Sequence, residues 1–156
     1  MISKTLTVPG VLLIVMAAFQ LTAAFATFIP SFVHDRVPEQ FIPVWLFLAG
    51  PVLGDAPSED VIRVLAVASQ LIIGISEAVI GLALLAAALV PQRRLTLANF
   101  GLAYAAGLFG AFLLTMFAMH DPQLPKWNQY PAILAWIGAT WLVVALTSDP
   151  RCRTAE

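Results

Sequence analysis

Glu77 is the only charged side chain between Arg63 and Arg93, and it sits in SQLIIGISEAVIGLALL, the stretch from Ser69 to Leu85. A carboxyl in hydrocarbon must take a proton or find hydrogen-bonding partners, and intramembrane ionisable residues turn toward a bundle interior, where they mark sites. Gln70, Gly74, Glu77 and Gly81 recur at spacings of three and four and so share one helix face. Two glycines flanking a carboxyl let a neighbouring helix approach closely. The Gln70 amide stands within reach to donate to that carboxyl, directly or through water. Two roles are open to Glu77: a general acid that moves a proton, or a hydrogen-bonding post between helices.

Histidines supply the second set of candidates. PSFVHDRVP and FAMHDPQLP each end an aromatic-rich run with His-Asp and then a proline, placing His34-Asp35 and His120-Asp121 at helix ends. Two histidines and two carboxylates suit zinc or a proton-handling cluster. Adjacent residues diverge, however, and neither pair has the i, i+4 spacing of helical ligands, so no metal is expected. For His34 the simpler reading is a headgroup-level residue at a helix end. Glu77, His120 and Asp121 are the expected catalytic set. Gln20, Trp45, Gln70, Tyr104 and Thr115 are the residues expected to contact a guest.

The elements that must position these residues are membrane helices. Of the 156 residues, 60% are hydrophobic and only 11% charged, with a mean hydropathy of +0.89. A soluble domain carries about a quarter charged residues. A net charge of −1 and no basic patch give no footing for nucleic acid. The one cysteine, Cys152, excludes an intramolecular disulfide. Crossing an apolar core of about 30 Å takes roughly 20 helical residues. Four segments meet or approach that length: 9–29, 60–90, 95–119 and 131–147. The expected fold is therefore an all-α, four-transmembrane-helix bundle in one domain spanning residues 1–156. Pro9 opens the first helix, Ser58 is placed to cap the second, and Pro91 stops it. Lys4, the apolar run from Val8 to Leu21 and Ala24-Phe25-Ala26 imitate a signal peptide, but apolar sequence continues through Phe28 and Ile29, which favours a retained first helix.

Lys4, Arg93, Arg94, Arg151 and Arg153 fall on one side of these spans, and Arg36, Arg63 and Lys126 on the other. Asp35, Glu39, Asp55, Glu59, Asp60 and Asp121 join the second group. The positive-inside bias puts both termini in the cytoplasm; the membrane expected is a bacterial inner membrane. Arg93-Arg94 serves as a topology signal, and Trp127 and Tyr130 as interfacial anchors. Between the first two spans lies FIPVWLFLAGPVL, from Phe41 to Leu53, apolar but too short to cross and interrupted by Pro43, Gly50 and Pro51. The expectation is an interfacial or re-entrant piece, with a loop plugging the outer mouth as its simplest form.

If the second and third spans pack antiparallel across the Pro91–Arg94 turn, Glu77 lies level with Gly107 and Leu108, Gln70 with Thr115, and Leu65 with His120. Twelve residues, roughly 18 Å of helix, then separate the Glu77 and His120 levels. This register predicts a polar file from Glu77 through Gln70 and Thr115 to His120, beneath the apolar flap at Trp45, with Gln20 closing the deep end. Gly101, Ala105, Ala106, Gly107 and Gly110 read as close helix packing, and Trp136 and Trp141 as packing or lipid contacts. No Gly-rich phosphate loop, serine-nucleophile context or haem-type histidine pair is present.

The run GISEAVIGLALLAAALVPQRRLTLANFGLAYAAGLFGAFLLTMFAMH resembles the DoxX-like group of four-helix membrane proteins. The pattern is a glutamate followed by small and apolar residues, an arginine turn, and an apolar helix ending in histidine. It covers about residues 70–120 and matches Glu77 and His120. Family members often carry a lysine in the first helix, where this chain has Gln20 in AAFQLTAAF. The resemblance implies a protein that serves a membrane redox or assembly complex, with quinone as the associated cofactor and a partner protein or a second copy of the chain beside it. The residues alone leave two other readings open. One is a small membrane enzyme (isomerase, cyclase or hydrolase) using Glu77 as acid and His120 and Asp121 as base or water path. The other is a purely structural subunit.

Overall fold

The computed structural model describes residues 7–33, 41–53, 58–119 and 129–148. They form α1 (Val8–Val33), α2 (Ile42–Leu53), α3 (Glu59–Leu89), a 3-10 turn (Pro91–Arg93), α4 (Arg94–Met119) and α5 (Tyr130–Ser148). α1, α3, α4 and α5 are each long and apolar enough to cross a bilayer. The chain is an all-α integral membrane protein with a four-helix bundle. Apolar side chains lie exposed on every spanning helix, among them Phe25, Ile72, Leu82, Leu114 and Leu142. Lipid is the solvent that makes such a surface stable, because each helix satisfies its own backbone polar groups.

Local sequence explains the helix ends. Glu59 and Asp60 occupy the first turn of α3, where a negative charge favours the helix dipole. Ser58 stands at the capping position without a side-chain bond, and its carbonyl accepts the Ile62 N–H at 3.1 Å. Pro91 supplies no N–H, so α3 closes at Leu89 with the Val90 N–H on the Ala86 carbonyl at 2.8 Å. Arg94 then reaches back. Its Nε and Nη2 point at the Ala87 and Ala88 carbonyls at 3.4 and 3.5 Å, and Nη1 donates to Thr7 Oγ1 at 3.2 Å. The residue read as a topology signal also serves the last carbonyls of α3 and ties them to the start of α1.

The segment expected as a plugging loop is a helix. Pro43 falls in its first turn, where a proline costs nothing, and the 12 residues of α2 rise only about 18 Å, too little to cross. α2 rests on α3 through Trp45, whose indole N–H donates to Ser69 Oγ at 2.8 Å. The spans differ in reach. α3 has 31 residues, about 46 Å of rise. α5 has 19, about 28 Å.

α1 runs antiparallel along α3 in the most extensive interface of the bundle. Gly81 faces Leu21, and Gly74 faces Thr27 and Phe28, so a step of seven on one helix matches a step of seven on the other. α4 meets a different stripe of α3, with Gly101 against Leu84. α5 packs on α4 through the Trp141 N–H to Asn99 Oδ1 bond at 2.9 Å. Leu13, Met16, Ile80, Leu84, Leu102, Ile137 and Val144 pack between the four, in the half of the bundle nearer Arg94, with the buried Gln20 and Thr140 among them.

Candidate functional site

Glu77 is 7% exposed and lies twelve residues from Leu89, about 18 Å of rise into α3. Its face of the helix is the one read from the sequence: Gln70, Gly74, Glu77 and Gly81 are all buried. The helix that fills this face is α1. A Cβ on Gly81 would stand 2.7 Å from Leu21 Cγ, and one on Gly74 would stand 3.1 Å from the Phe28 ring. The glycines therefore admit the α1 backbone, and α1 brings a donor with it. Thr27 Oγ1 donates to Glu77 Oε2 at 3.1 Å.

Gln70 supports this arrangement one step removed. Its Nε2 donates to the Thr27 backbone carbonyl at 2.7 Å, not to the carboxyl as expected. Gln70 holds the threonine, and the threonine holds the glutamate. Tyr130, read above as an interfacial anchor, opens α5 and is half-buried against α4. Its ring packs 5.6 Å from Phe112 and 6.0 Å from Phe109, centroid to centroid, and those two stack edge to face. A carboxyl and a hydroxyl thus meet at mid-depth in the α1–α3 seam, and at a similar level the Tyr130 phenol packs on two phenylalanine rings of α4. Such a group can bind the polar head of an apolar molecule, or pass a proton.

The expected neighbour of Glu77 on α4 is absent from this seam. Gly107 is exposed, and a Cβ there would meet nothing within 4 Å. The register across the turn holds for Gly101 and Leu84, but α4 uses it on the Leu84 stripe and leaves the glutamate face to α1. For the same reason Thr115 does not join a file with Gln70. Its hydroxyl donates to Ala111 O on its own helix at 2.9 Å. Tyr104, 38% exposed, bonds Ser76 Oγ at 2.8 Å, on a face of α3 turned about 100° from Glu77. Trp45 bonds Ser69 rather than any member of the Glu77 group. His34, His120 and Asp121 lie outside the described residues.

Gln20 is fully buried, on the Arg94 side of Glu77. Neither its Nε2 nor its Oε1 meets a hydrogen-bonding group among the described residues, and the same is true of Gln70 Oε1 and Thr140 Oγ1. Each such atom left without any partner in a dry interior costs about 1–3 kcal/mol.

Sequence reasoning missed Thr27, Ser76 and Thr140. A signal for Thr27 was available: Gln20 and Thr27 stand seven apart on α1, as Gln70 and Glu77 do on α3. Polar residues two turns apart on each of two helices mark matching faces. A scan against protein-family models, a search of curated proteins and a search of solved structures match nothing.

Proposed function

We propose that this chain is a DoxX-like protein of a bacterial inner membrane, with both termini cytoplasmic, that serves a redox or assembly complex. In this reading Glu77 is the polar end of a site for a quinone or a lipid of similar chemistry. The observation that supports it is the placement of Glu77 at mid-depth, hydrogen-bonded by Thr27, with the Tyr130 ring and its aromatic partners at a similar level of the bundle. The rings offer a flat apolar surface to stack a head group, and the oxygens offer hydrogen bonds to its carbonyls. A partner protein or a second copy of the chain supplies the rest of the redox chemistry. Binding of a short-tailed quinone analogue to the protein in lipid nanodiscs tests the site. Glu77→Gln, which keeps the shape and removes the carboxyl, should weaken binding by about tenfold, the equivalent of one lost hydrogen bond. Unchanged affinity would remove the site from this reading.

The buried Glu77 carboxyl also supports a second reading, an acid–base enzyme acting on a lipophilic substrate. Turnover by the isolated chain, lost in Glu77→Gln with normal expression, would favour it over the partner-dependent one.

A further inference from the structure

The buried polar atoms of this bundle are ordered along its axis. Gln70 and Glu77 stand two turns apart on α3. Gln20 precedes Leu21, which packs on Gly81, so it lies about four or five residues beyond Glu77 toward Arg94, a rise of about 7 Å. Thr140 precedes Trp141, whose partner Asn99 sits two residues before Gly101, itself packed on Leu84. That places Thr140 roughly one further turn toward Arg94. The order is Gln70, Glu77, Gln20, Thr140, on α3, α3, α1 and α5. Gln20 is 0% exposed, Thr140 1% and Gln70 5%, and each keeps at least one polar atom that meets no hydrogen-bonding group among the described residues.

A mid-helix threonine ordinarily returns its hydroxyl to a carbonyl one turn back, as Thr147 does to Val143. Thr140 does not. An amide and a hydroxyl each donate and accept, so both can hold water that passes a proton along. Along the bundle axis these groups follow one another at rises of about 5–7 Å, and water relays protons between polar groups that do not touch. Buried polar groups without protein partners are the ordinary seat of internal water.

We infer that Gln20 and Thr140 hold water inside the bundle, and that this water connects Glu77 to the Arg94 end as a proton path. A proton leaving the Glu77 carboxyl is taken up by the first water as another leaves the file at the Arg94 end, and reprotonation runs the same relay backwards. No electron moves. Gln20 and Thr140 do not titrate; they position the water. The inference rests on the proposed function only in taking Glu77 as the working end of the interior.

Infrared spectroscopy of the full chain in lipid nanodiscs tests it without any ligand. The acid carbonyl band of Glu77 is the one absent from Glu77→Gln, and its shift after transfer to D2O reports how fast the carboxyl proton exchanges. Gln20→Leu should slow that exchange by at least about tenfold, the rate equivalent of one hydrogen bond lost from the path. Thr140→Val, equal in shape, should slow it in the same direction, and it carries the test alone if Gln20→Leu does not fold. Exchange as fast as wild type in the folded variants would overturn the path, and so would the lack of any acid band assignable to Glu77. The quinone reading fails separately: unchanged quinone binding in Glu77→Gln removes the ligand and leaves the exchange result standing.

Discussion

The α1–α3 seam and the outward face of α4 are built from the same kinds of residue and used in opposite ways. In the seam, Gly74 and Gly81 are buried under Phe28, Thr27 and Leu21, and the closeness they permit sets Thr27 on Glu77. On α4, added Cβ atoms at Gly107 and Gly110 would touch nothing. Small residues permit approach; they do not compel it. Polar groups on the same stripe decide where approach occurs, because a carboxyl in hydrocarbon gains from a partner helix that brings a donor, while a stripe of glycine and alanine alone gains little.

Substitutions can break this contrast, and they rank. Gly81→Ala should be the most damaging, at about 2–3 kcal/mol, because the new methyl meets Leu21 Cγ at 2.7 Å and the Leu21 backbone nitrogen at 3.2 Å, so the seam itself must open. Reversible unfolding in mixed micelles measures it, and a loss below that of Gly101→Ala would reverse the ranking. Gly101→Ala follows at about 1–2 kcal/mol, since the clash is with the fully buried Leu84 side chain at 2.7 Å and no backbone atom stands in the way, Ala83 Cβ lying at an ordinary 3.6 Å. Thr27→Val keeps the shape and removes the donor to Glu77, costing about 1 kcal/mol. The same unfolding curves read it, and the quinone-binding assay should register it as a weakening smaller than that of Glu77→Gln. Gly107→Ala should lie within about 0.5 kcal/mol of wild type, with any shift toward stability from helix propensity. A large loss at Gly107 would mean that the open face of α4 is covered by another protein in the assembly.

Much of the fold was legible because membrane spans are written in length and hydropathy, and the four helices fall within a few residues of their expected bounds. α1 runs on to Val33 past Pro30, and α2 is a helix where a loop was the simplest expectation. The site was legible by face but not by partner. The spacing of Gln70, Gly74, Glu77 and Gly81 gave the buried side of α3 correctly, since helix geometry alone determines it. Which helix covers that side depends on a pairing between segments some fifty residues apart, and a hairpin register across Pro91–Arg94 carries no information about it. That register puts Thr115 level with Gln70, and Tyr104 is expected to contact the same guest, yet their hydroxyls bond elsewhere.

The unequal spans set how the protein meets its surroundings. The 26 residues of α3 that follow its charged first turn (64–89) rise about 39 Å and overshoot a typical hydrocarbon core by about 9 Å, whereas the 19 of α5 barely match it. Mismatch of this kind is absorbed by tilt or by local change in lipid packing, at a fraction of a kcal/mol per Å. One flank of the molecule therefore favours a thick bilayer and the opposite flank a thin one. Neighbours with short spans are drawn to the α5 side, and a sterol-free, thinner membrane suits that side best.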